Sequence, residues 1–346
     1  MRAVVYRGDG KIDFTDIPRP QPGPGEALLR VMACGICGTD LRILKSGHHR
    51  IPAGTPRVLG HELAGEIVEV GEGVDLAIGT RVGVAPNIGC GTCIQCVSEW
   101  TNLCADYDAF GISLDGGFAE YMLITTEAIQ QGNVVVVPDH MLPQETALAE
   151  PLSCCLNGQE AVSVGVGDIV LIVGAGPIGV MHVMLARLSG ARMILVSEIT
   201  EARLKEAEIH GADVIINPEK DDLLTAVRDL THNHGVDVVI IAASSRRAQE
   251  QALELVASRG RINFFGGLQR GDSMVSLDAN LIHYKQLVIT GTTGSNVRQY
   301  RSAINLIASK RILTEDLISG HLPLNQFDEG IRRSRSVREM RIVLEP

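Results

Sequence analysis

Residues 170–179 of the chain read VLIVGAGPIG, and this stretch decides the fold. Its first four residues are apolar and mostly β-branched, which is typical of a strand buried on both faces of a parallel sheet. Gly174, Gly176 and Gly179 follow in the spacing G-x-G-x-x-G. The first glycine allows a tight turn, the second lets the backbone approach a diphosphate, and the third lets the next helix pack closely on the strand. The stretch therefore predicts a strand–turn–helix unit that binds a dinucleotide.

The residues after the motif support this interpretation. A helix over residues 177–189, opened by Pro177 and Ile178, would point its N-terminal amides at the phosphates. A second apolar strand over residues 193–196 is followed by Glu198. A carboxylate at that distance from the glycines can accept hydrogen bonds from the adenosine ribose and would repel the 2′-phosphate of NADP, so Glu198 predicts NAD.

Two simpler interpretations of the glycine motif stay open at this point. A glycine-rich turn can occur without a ligand. Residues 169–186 carry no Asp, Glu, Lys or Arg and approach the length of a membrane span. Three glycines and a proline inside this run, together with the strand–helix alternation around it, argue against insertion into a membrane.

Composition restricts the classes of function. The chain has 346 residues, 45% of them hydrophobic, and a formal net charge of −10. This length allows two domains with full cores, and the negative charge predicts no binding to nucleic acid or to a membrane. The N-terminal sequence MRAVVYRGDG has no apolar signal core, so we expect a cytoplasmic protein. The eight cysteines are then expected to be thiols or metal ligands.

The chain changes its pattern near residue 145. Before it, short apolar runs separated by Gly and Pro clusters predict a compact β barrel or sandwich. A helix is expected over residues 143–162, and from residue 168 strands alternate with helices, the pattern of a doubly wound parallel sheet. We predict a β-rich domain over 1–148, an α/β domain over 149–288, and a return to the first domain over 289–346. The expected strands are 3–6, 26–32, 64–70, 80–84, 119–124, 134–137, 169–173, 193–196, 214–216, 236–242, 261–265, 287–290 and 340–344. The further expected helices are 201–210, 223–232, 246–258 and 297–309.

Four cysteines lie close together in a lobe over about residues 88–106: Cys90, Cys93, Cys96 and Cys104. Four thiolates can complete a tetrahedral zinc site with no open position, which would be structural and would order a lobe that has little apolar core. The usual iron–sulfur spacing, which ends in C-x3-C-P, is absent. Free buried thiols are the simpler alternative, and the acidic charge disfavours a zinc module for nucleic acid.

Cys37, in CGICGTD, and the adjacent His61 and Glu62, in GHE, form a second candidate cluster. A thiolate, an imidazole and a carboxylate, with water in the fourth place, make an open zinc site. Taken alone, His61 could be a packed histidine, and Cys34 with Cys37 could be a redox pair. The coexistence of this cluster with the dinucleotide motif and the cysteine-rich lobe favours the metal.

The order of these motifs resembles the zinc-containing medium-chain alcohol dehydrogenase family over essentially the whole chain. The resemblance implies an α/β protein with a GroES-like catalytic domain and a Rossmann domain, which binds NAD and one catalytic and one structural Zn²⁺ per chain. It implies that Cys37 and His61 bind the catalytic zinc and that Cys34 does not. The polyol and threonine dehydrogenase branch uses the glutamate of GHE, here Glu62, as third ligand. Glu150, where other members have a cysteine, favours that branch and is itself a candidate ligand.

The resemblance also implies roles for other residues. Thr39 would accept the substrate proton, although a helix or turn cap is the alternative role for it. Arg42 stands where family members often have a histidine. Either His48 or His49 replaces that histidine, or Arg42 binds an anionic group of the substrate. Cys154 and Cys155 are expected to be core thiols. The resemblance also places Phe265, Gly266, Gly267, Thr292 and Thr293 near the nicotinamide. Arg203 is a further candidate cofactor contact, whose guanidinium would either stack on the adenine or contact a phosphate.

The expected function follows from the branch. A secondary alcohol of a polyol, inositol or sugar derivative would lose hydride to NAD⁺ and become a ketone. The alternatives are an L-threonine 3-dehydrogenase, a dehydrogenase of a phosphorylated or acidic sugar alcohol, and a dinucleotide-binding protein without catalysis. We expect no partner other than the small-molecule alcohol and further copies of the chain, which would form a homodimer or homotetramer through residues 275–290.

Overall fold

The computed structural model describes residues 1–269 and 271–346, and these form two compact units. Unit 1 consists of Met1–Ser153 and Gly294–Pro346, and unit 2 consists of Cys154–Thr293. The division therefore falls after residues 153 and 293, where the sequence placed it after 148 and 288. The first boundary has no loop to mark it, because the helix Ala149–Ala161 runs through it.

The chain forms eighteen strands within the described residues. They are β1 (Arg2–Gly8), β2 (Lys11–Asp16), β3 (Ala27–Gly35), β4 (Arg57–Val58), β5 (Glu62–Val70), β6 (Arg81–Val84), β7 (Asn87–Ile88), β8 (Asp108–Ala109), β9 (Tyr121–Ile124), β10 (Val134–Val136), β11 (Ile169–Val173), β12 (Met193–Ser197), β13 (Val214–Ile216), β14 (Val236–Ile241), β15 (Val256–Phe264), β16 (Val288–Gly291), β17 (Ile318–Pro323) and β18 (Arg341–Glu345).

Twelve α-helices occur in the same described ranges. They are α1 (Gly38–Ser46), α2 (Ile94–Val97), α3 (Thr126–Gln130), α4 (Pro143–Ala147), α5 (Ala149–Ala161), α6 (Pro177–Leu188), α7 (Glu201–Ile209), α8 (Leu223–Leu230), α9 (Arg246–Leu255), α10 (Ala279–Lys285), α11 (Val297–Ala308) and α12 (Phe327–Ser334). None of the helices in the described part of the chain combines the length and the apolar character needed to cross a membrane.

Unit 1 is β-rich. Its largest sheet has the order β10-β6-β5-β3-β18-β17, with β9 also paired to β3, and a three-stranded sheet has the order β2-β1-β4. Strand β18 pairs with β3, so the end of the chain is built into the first unit. One apolar core joins these elements and includes Leu29, Leu63 and Phe118. This is the GroES-like domain that the sequence predicted.

Unit 2 contains a parallel six-stranded sheet in the order β13-β12-β11-β14-β15-β16. Numbered along the chain, this is the order 3-2-1-4-5-6 of the doubly wound dinucleotide-binding fold. In β11, Val170 and Ile172 pack into one core and Ile169 and Leu171 into another, so both faces of the sheet are covered. The predicted Rossmann domain is confirmed.

The structure corrects several predicted elements. The helix expected over residues 143–162 is two helices, α4 and α5, separated at Leu148. Residues 256–258, expected at the end of a helix, begin β15, because Val256 already has an extended backbone. Strand β2 was not predicted, because its polar sequence KIDFTD is mostly exposed and pairs only with β1. Helices α1 and α12 were also missed.

Candidate metal centre and dinucleotide-binding loop

Unit 1 brings Cys37, His61 and Glu62 together. One ligand atom of each side chain, a thiol sulfur, an imidazole nitrogen and a carboxylate oxygen, lies within 4.8 Å of the other two. His61 and Glu62 are buried. His61 Nδ1 and both Glu62 carboxylate oxygens lack a hydrogen bond to any described residue. Buried polar atoms without such a bond are costly unless another partner completes them. The donor set and its spacing fit Zn²⁺.

Local backbone structure places these three groups. Cys37 is the N-cap residue of α1, two residues after the end of β3, and Glu62 opens β5. Gly35 of β3 pairs with Glu62 across the sheet. A Cβ atom at Gly35 would lie 2.4 Å from Glu62 Oε2, so only glycine leaves room for the carboxylate there. Cys34 is buried on the same strand and is not a member of the group.

Asp40 supports two members of the cluster. Its Oδ2 accepts a hydrogen bond from the Cys37 backbone N–H at 2.8 Å, and its Oδ1 lies 3.7 Å from His61 Nδ1. Burial lowers the pKa of His61, but the Cys37 thiolate and the Asp40 carboxylate outweigh it and raise that pKa well above its ordinary value. A carboxylate behind the imidazole is a common arrangement at zinc sites, because it orients the ring.

Arg341 was missed in the sequence and lies in the same cluster. Its Nη2 is 2.8 Å from Glu62 Oε1, and both side chains are buried. Its Nη1 donates to the backbone oxygen of Ile36 at 3.1 Å. The guanidinium of Arg341 offsets the negative charge of Glu62, but the Glu62 carboxylate makes no hydrogen bond of good geometry to any described group. The available signal was a single arginine opening the apolar strand RIVLE near the C-terminus.

The other residues predicted for the catalytic site lie in unit 1 as well. Glu150 is buried in the first turn of α5. Its charge contributes to raising the pKa of His61, although it is not a member of the group of three. Thr39 lies inside α1 and is not its cap. Its Oγ1 accepts a hydrogen bond from Arg42 Nη2 at 2.9 Å.

The four cysteines of the lobe form the second cluster. All four sulfur atoms lie within 4.8 Å of one another. The Sγ–Sγ distances are 3.5 Å for Cys93–Cys96, 3.7 Å for Cys93–Cys104 and 4.0 Å for Cys90–Cys96. Four sulfurs at about 2.3 Å from one zinc are about 3.8 Å apart, so the spacing fits a tetrahedral site and not a disulfide. Backbone N–H groups of Thr92 and Cys93 lower the pKa of Cys90 to about 6, which favours a thiolate.

The glycine motif in unit 2 has the conformation that the sequence predicted. Gly174 has φ +100°, and Gly176 is the N-cap of α6. A Cβ at Gly179 would lie within 1.9 Å of Gly174 O, so this glycine permits the helix to pack on the turn. Within the described chain no side chain caps the α6 N-terminus, whose first turn contains Pro177 and Ile178 and no acidic residue. These free amides fit a diphosphate.

Glu198 follows β12, and its carboxylate is hydrogen-bonded to the backbone of the glycine turn. Its Oε2 accepts a hydrogen bond from Ala175 N at 3.0 Å, and its Oε1 accepts from Ile199 N and Thr200 N at 2.8 and 3.0 Å. A carboxylate can accept about four hydrogen bonds, so acceptor capacity is left for a ribose hydroxyl. Arg203 Nη1 lies 4.0 Å from Oε2, and a Cβ at Gly176 would lie 3.9 Å from the same guanidinium.

The two segments predicted to contact nicotinamide follow adjacent strands. Phe265, Gly266 and Gly267 come directly after β15, and Thr292 and Thr293 directly after β16. In open parallel sheets, ligands bind outside these carboxyl ends. A Cβ at Gly266 would lie 2.5 Å from Ala243 O, so glycine is required there.

Comparison with known proteins identifies the family. An alcohol dehydrogenase GroES-like domain matches residues 23–139, and a zinc-binding dehydrogenase domain matches residues 177–309. The chain belongs to the zinc-containing medium-chain alcohol dehydrogenase family. It is therefore an oxidoreductase, as the motif order predicted. Its similarity to threonine, arabitol-phosphate and sorbitol dehydrogenases fits the polyol and threonine dehydrogenase branch, which Glu62 and Glu150 favoured.

Individual members of the family are similar over nearly their whole length. The chain is 34% identical to L-threonine 3-dehydrogenase of Pyrococcus furiosus, with 96% of this chain and 94% of the relative covered. It is 31% identical to D-arabitol-phosphate dehydrogenase of Enterococcus avium, with 100% of this chain and 97% of the relative covered. A crystal structure of a zinc-binding dehydrogenase of Sinorhizobium meliloti 1021 bound to NADP has a TM-score of 0.92 at 34% identity, with 100% and 99% covered.

Proposed function

We propose that this dehydrogenase oxidises a secondary alcohol of a polyol, inositol or sugar derivative to a ketone and transfers the hydride reversibly to NAD⁺. The observation that carries the proposal is the group of Cys37, His61 and Glu62, a thiol, an imidazole and a carboxylate within 4.8 Å of one another. Three protein ligands leave one position of a tetrahedral zinc for substrate. Zinc held there supplies Lewis-acid stabilisation of the alcohol oxygen as its proton leaves.

The surrounding residues keep this group in place. Asp40 orients His61, and Arg341 offsets the charge of Glu62 before metal binds. Thr39 is the proposed first acceptor of the substrate proton, and Arg42 orients its hydroxyl by donating to Oγ1. An arginine stays protonated at neutral pH, so Arg42 cannot itself pass the proton on. Glu150 is proposed as a ligand through water, or directly in place of Glu62 as the third ligand, because it is buried and acts electrostatically on His61.

NAD is the proposed cofactor. Glu198 retains acceptor capacity for a ribose hydroxyl, and its negative charge disfavours a 2′-phosphate. Arg203 lies 4.0 Å from that carboxylate and partly offsets it, and the Sinorhizobium relative binds NADP. We expect a catalytic efficiency at least about tenfold higher with NAD⁺ than with NADP⁺ (about 1.4 kcal/mol), and a smaller preference in Glu198→Gln. Equal efficiencies in the unmodified enzyme would contradict the role given to Glu198.

A phosphorylated or carboxylate-bearing substrate is the second candidate. Arg42 is exposed on α1 near His48, and burial, His49, Arg50 and Arg42 together lower the pKa of His48. Arg50 is engaged, because it donates to Tyr107 O and Ala105 O. Arg42 donates to Thr39 Oγ1 through Nη2, but it is exposed and a guanidinium has five N–H donors, so it can also bind an anionic group. The similarity to an arabitol-phosphate and a threonine dehydrogenase supports this candidate.

A substrate panel separates the candidates. Neutral polyols, inositols, sugar phosphates and L-threonine are tested for NADH production with the zinc-loaded enzyme and with Arg42→His. If Arg42 binds an anion, the variant raises KM about tenfold more for the phosphorylated or amino acid substrate than for neutral polyols. Any loss of kcat from the missing hydrogen bond to Thr39 should be the same for both kinds of substrate. Oxidation of none of these compounds, with two zinc ions bound per chain, would contradict the proposal.

We also propose that the enzyme is a homodimer or homotetramer. Strand β16 is an edge strand of the parallel sheet, and Val288 in it is 49% exposed. Tyr284 of the neighbouring helix α10 is 79% exposed. An open edge with apolar side chains favours pairing with another copy. Sedimentation velocity should show a dimer or larger for the unmodified protein and a smaller species for Val288→Lys.

A further inference from the structure

A seam of polar side chains in unit 2, three of them buried and two half-buried, connects the two segments expected to hold the nicotinamide. We call it the polar seam; its members are Gln159, His182, Asn263, Thr290 and Thr292. None of them was singled out in the sequence except Thr292. Buried polar groups are costly unless they are hydrogen-bonded, so this seam inside an apolar sheet calls for an explanation.

Asn263 is the centre of the polar seam. It is fully buried in β15, and its Nδ2 donates to Gly158 O at 3.3 Å and to Thr290 Oγ1 at 3.2 Å. Its Oδ1 accepts a hydrogen bond from Thr292 Oγ1 at 3.3 Å. The amide nitrogen and the amide oxygen of Asn263 are therefore both hydrogen-bonded. Thr292 lies just beyond the end of β16, so Asn263 fixes the direction of a side chain at the ligand-binding edge of the sheet.

His182 makes the second connection. It is fully buried in α6, the helix that begins at the glycine turn, and burial lowers its pKa to about 3, so the ring is neutral. The ring packs edge-to-face on Phe265 with centroids 4.7 Å apart. Gln159 Nε2 donates to His182 O at 2.7 Å. A Cβ at Gly158 would lie 2.8 Å from the Phe265 ring and 3.1 Å from His182 Cε1.

We propose that Asn263 and His182 are positioning residues for the nicotinamide half of the dinucleotide. They act through Thr292 and Phe265, and they leave the adenosine diphosphate half to the glycine turn and Glu198. This inference rests on the proposed function, because it takes the bound ligand to be a nicotinamide dinucleotide. On this proposal the polar seam serves to position the nicotinamide half of the ligand, in addition to stabilising the fold.

The test compares two ligands that share the adenosine diphosphate half. Dissociation constants for NADH are measured by fluorescence and for ADP-ribose by competition, without alcohol substrate. In Asn263→Leu and in Thr292→Val, the NADH constant should rise about tenfold and the ADP-ribose constant should stay within about twofold. His182→Ala should behave in the same way, whereas His182→Phe should keep most of the NADH affinity because the ring contact with Phe265 remains.

The double variant Asn263→Leu/Thr292→Val shows whether the two residues affect NADH binding through their mutual hydrogen bond or independently. If Asn263 and Thr292 act through their mutual hydrogen bond, the NADH dissociation constant of the double variant should not exceed the larger of the two single-variant constants. Asn133→Leu is the matched control: Asn133 is a fully buried amide in unit 1 that donates to Ala85 O and Asn87 O. It should lower the melting temperature without changing the ratio of the two constants.

Three results would overturn the inference: an equal rise of both constants, an unchanged NADH constant, or additive losses in the double variant. If Asn263→Leu fails to fold, Asn263→Ser takes its place in the single and double variants, because it removes the amide that Thr292 donates to and keeps a polar side chain. Failure of the unmodified protein to bind NADH would instead contradict the proposed function, so the two failures are distinguishable.

Discussion

The two cysteine-containing clusters of unit 1 are built in opposite ways. The lobe takes four identical ligands from fifteen consecutive residues, 90–104, and the loop itself brings them together. The cluster of Cys37, His61 and Glu62 takes three chemically different ligands from the end of β3 and the start of β5. It also depends on Arg341, which joins it from β18 near the C-terminus. With zinc bound as proposed, the lobe would be a closed site made by local sequence, and the cluster would be an open site made by the packed sheet.

This difference predicts that the two clusters fail differently when a ligand is removed. Loss of a lobe ligand should unfold a local segment, because the lobe exposes Ile94, Val97 and Trp100 and has little core of its own. Loss of a cluster ligand should leave the sheet folded, because the apolar core around it does not depend on the metal.

The largest expected effect is on the lobe. Structural zinc binds to zinc-finger peptides with an apparent free energy of about 10–16 kcal/mol, and this binding free energy drives their folding. Cys104→Ser should therefore disorder residues 90–104. We expect the zinc content to fall from about two to about one per chain, and limited proteolysis should cut within the lobe. Cys154→Ser, a half-buried thiol of α5, is the control and should keep both zinc ions. An unchanged zinc content in Cys104→Ser would contradict the closed site.

The next effect is on turnover. Cys37→Ser should lower kcat/KM by roughly 10³-fold, since metal polarisation contributes several kcal/mol to the transition state and each 1.4 kcal/mol is about tenfold. The protein should stay folded and resist proteolysis in the lobe. Cys34→Ala changes a thiol three residues earlier, in β3 and outside the group, and should retain the zinc. If Cys34→Ala loses zinc as completely as Cys37→Ser, the two thiols act as a pair and the ligand assignment is wrong.

A third prediction concerns the buried ion pair of the open cluster. In the protein stripped of zinc, Arg341→Met leaves the Glu62 carboxylate buried without its cation and should destabilise the protein by about 3 kcal/mol in urea unfolding. The double variant Glu62→Gln/Arg341→Met should recover much of that loss, because the buried charge is also removed. A double variant as unstable as Arg341→Met alone would show that Arg341 contributes by packing and not by charge.

The smallest expected effect uses another buried carboxylate of unit 1 as a comparison. Glu145 accepts hydrogen bonds from Leu142 N at 2.9 Å and from Lys310 Nζ at 2.5 Å. Burial raises its pKa, but Lys310 and the Leu142 amide outweigh burial and lower the pKa below its ordinary value. Unlike Glu62, it has hydrogen bonds to protein groups on both oxygens and needs no metal.

Glu145→Gln should therefore destabilise the protein by about 1 kcal/mol at neutral pH, the size of a lost helix N-terminal contact. A carboxyl group whose pKa is lowered by folding contributes stability above its unfolded pKa of about 4.3, and this contribution disappears as pH falls through the folded value. Urea unfolding from pH 7 to pH 3 should show the difference between the two proteins shrinking below about pH 4. A difference independent of pH would contradict the ionic contribution.

The same contrast explains what the sequence could and could not predict. Cys90–Cys104 and Gly174–Gly179 were predictable because each site is made by consecutive residues whose spacing alone sets the geometry. Asp40 and Arg341 were not predictable as partners of His61 and Glu62, since they meet them only through the pairing of β18 with β3 and the capping of α1. Asn263 was hidden for the same reason, because in the sequence it is one polar residue in an apolar strand.

The most direct test is zinc X-ray absorption of the Cys104→Ser variant loaded with one equivalent of zinc. The account predicts one sulfur at about 2.3 Å and nitrogen or oxygen ligands at about 2.0–2.2 Å, which is the thiol, imidazole and carboxylate set of the open cluster. A shell dominated by sulfur, or a variant that retains no zinc while it stays folded, would contradict it.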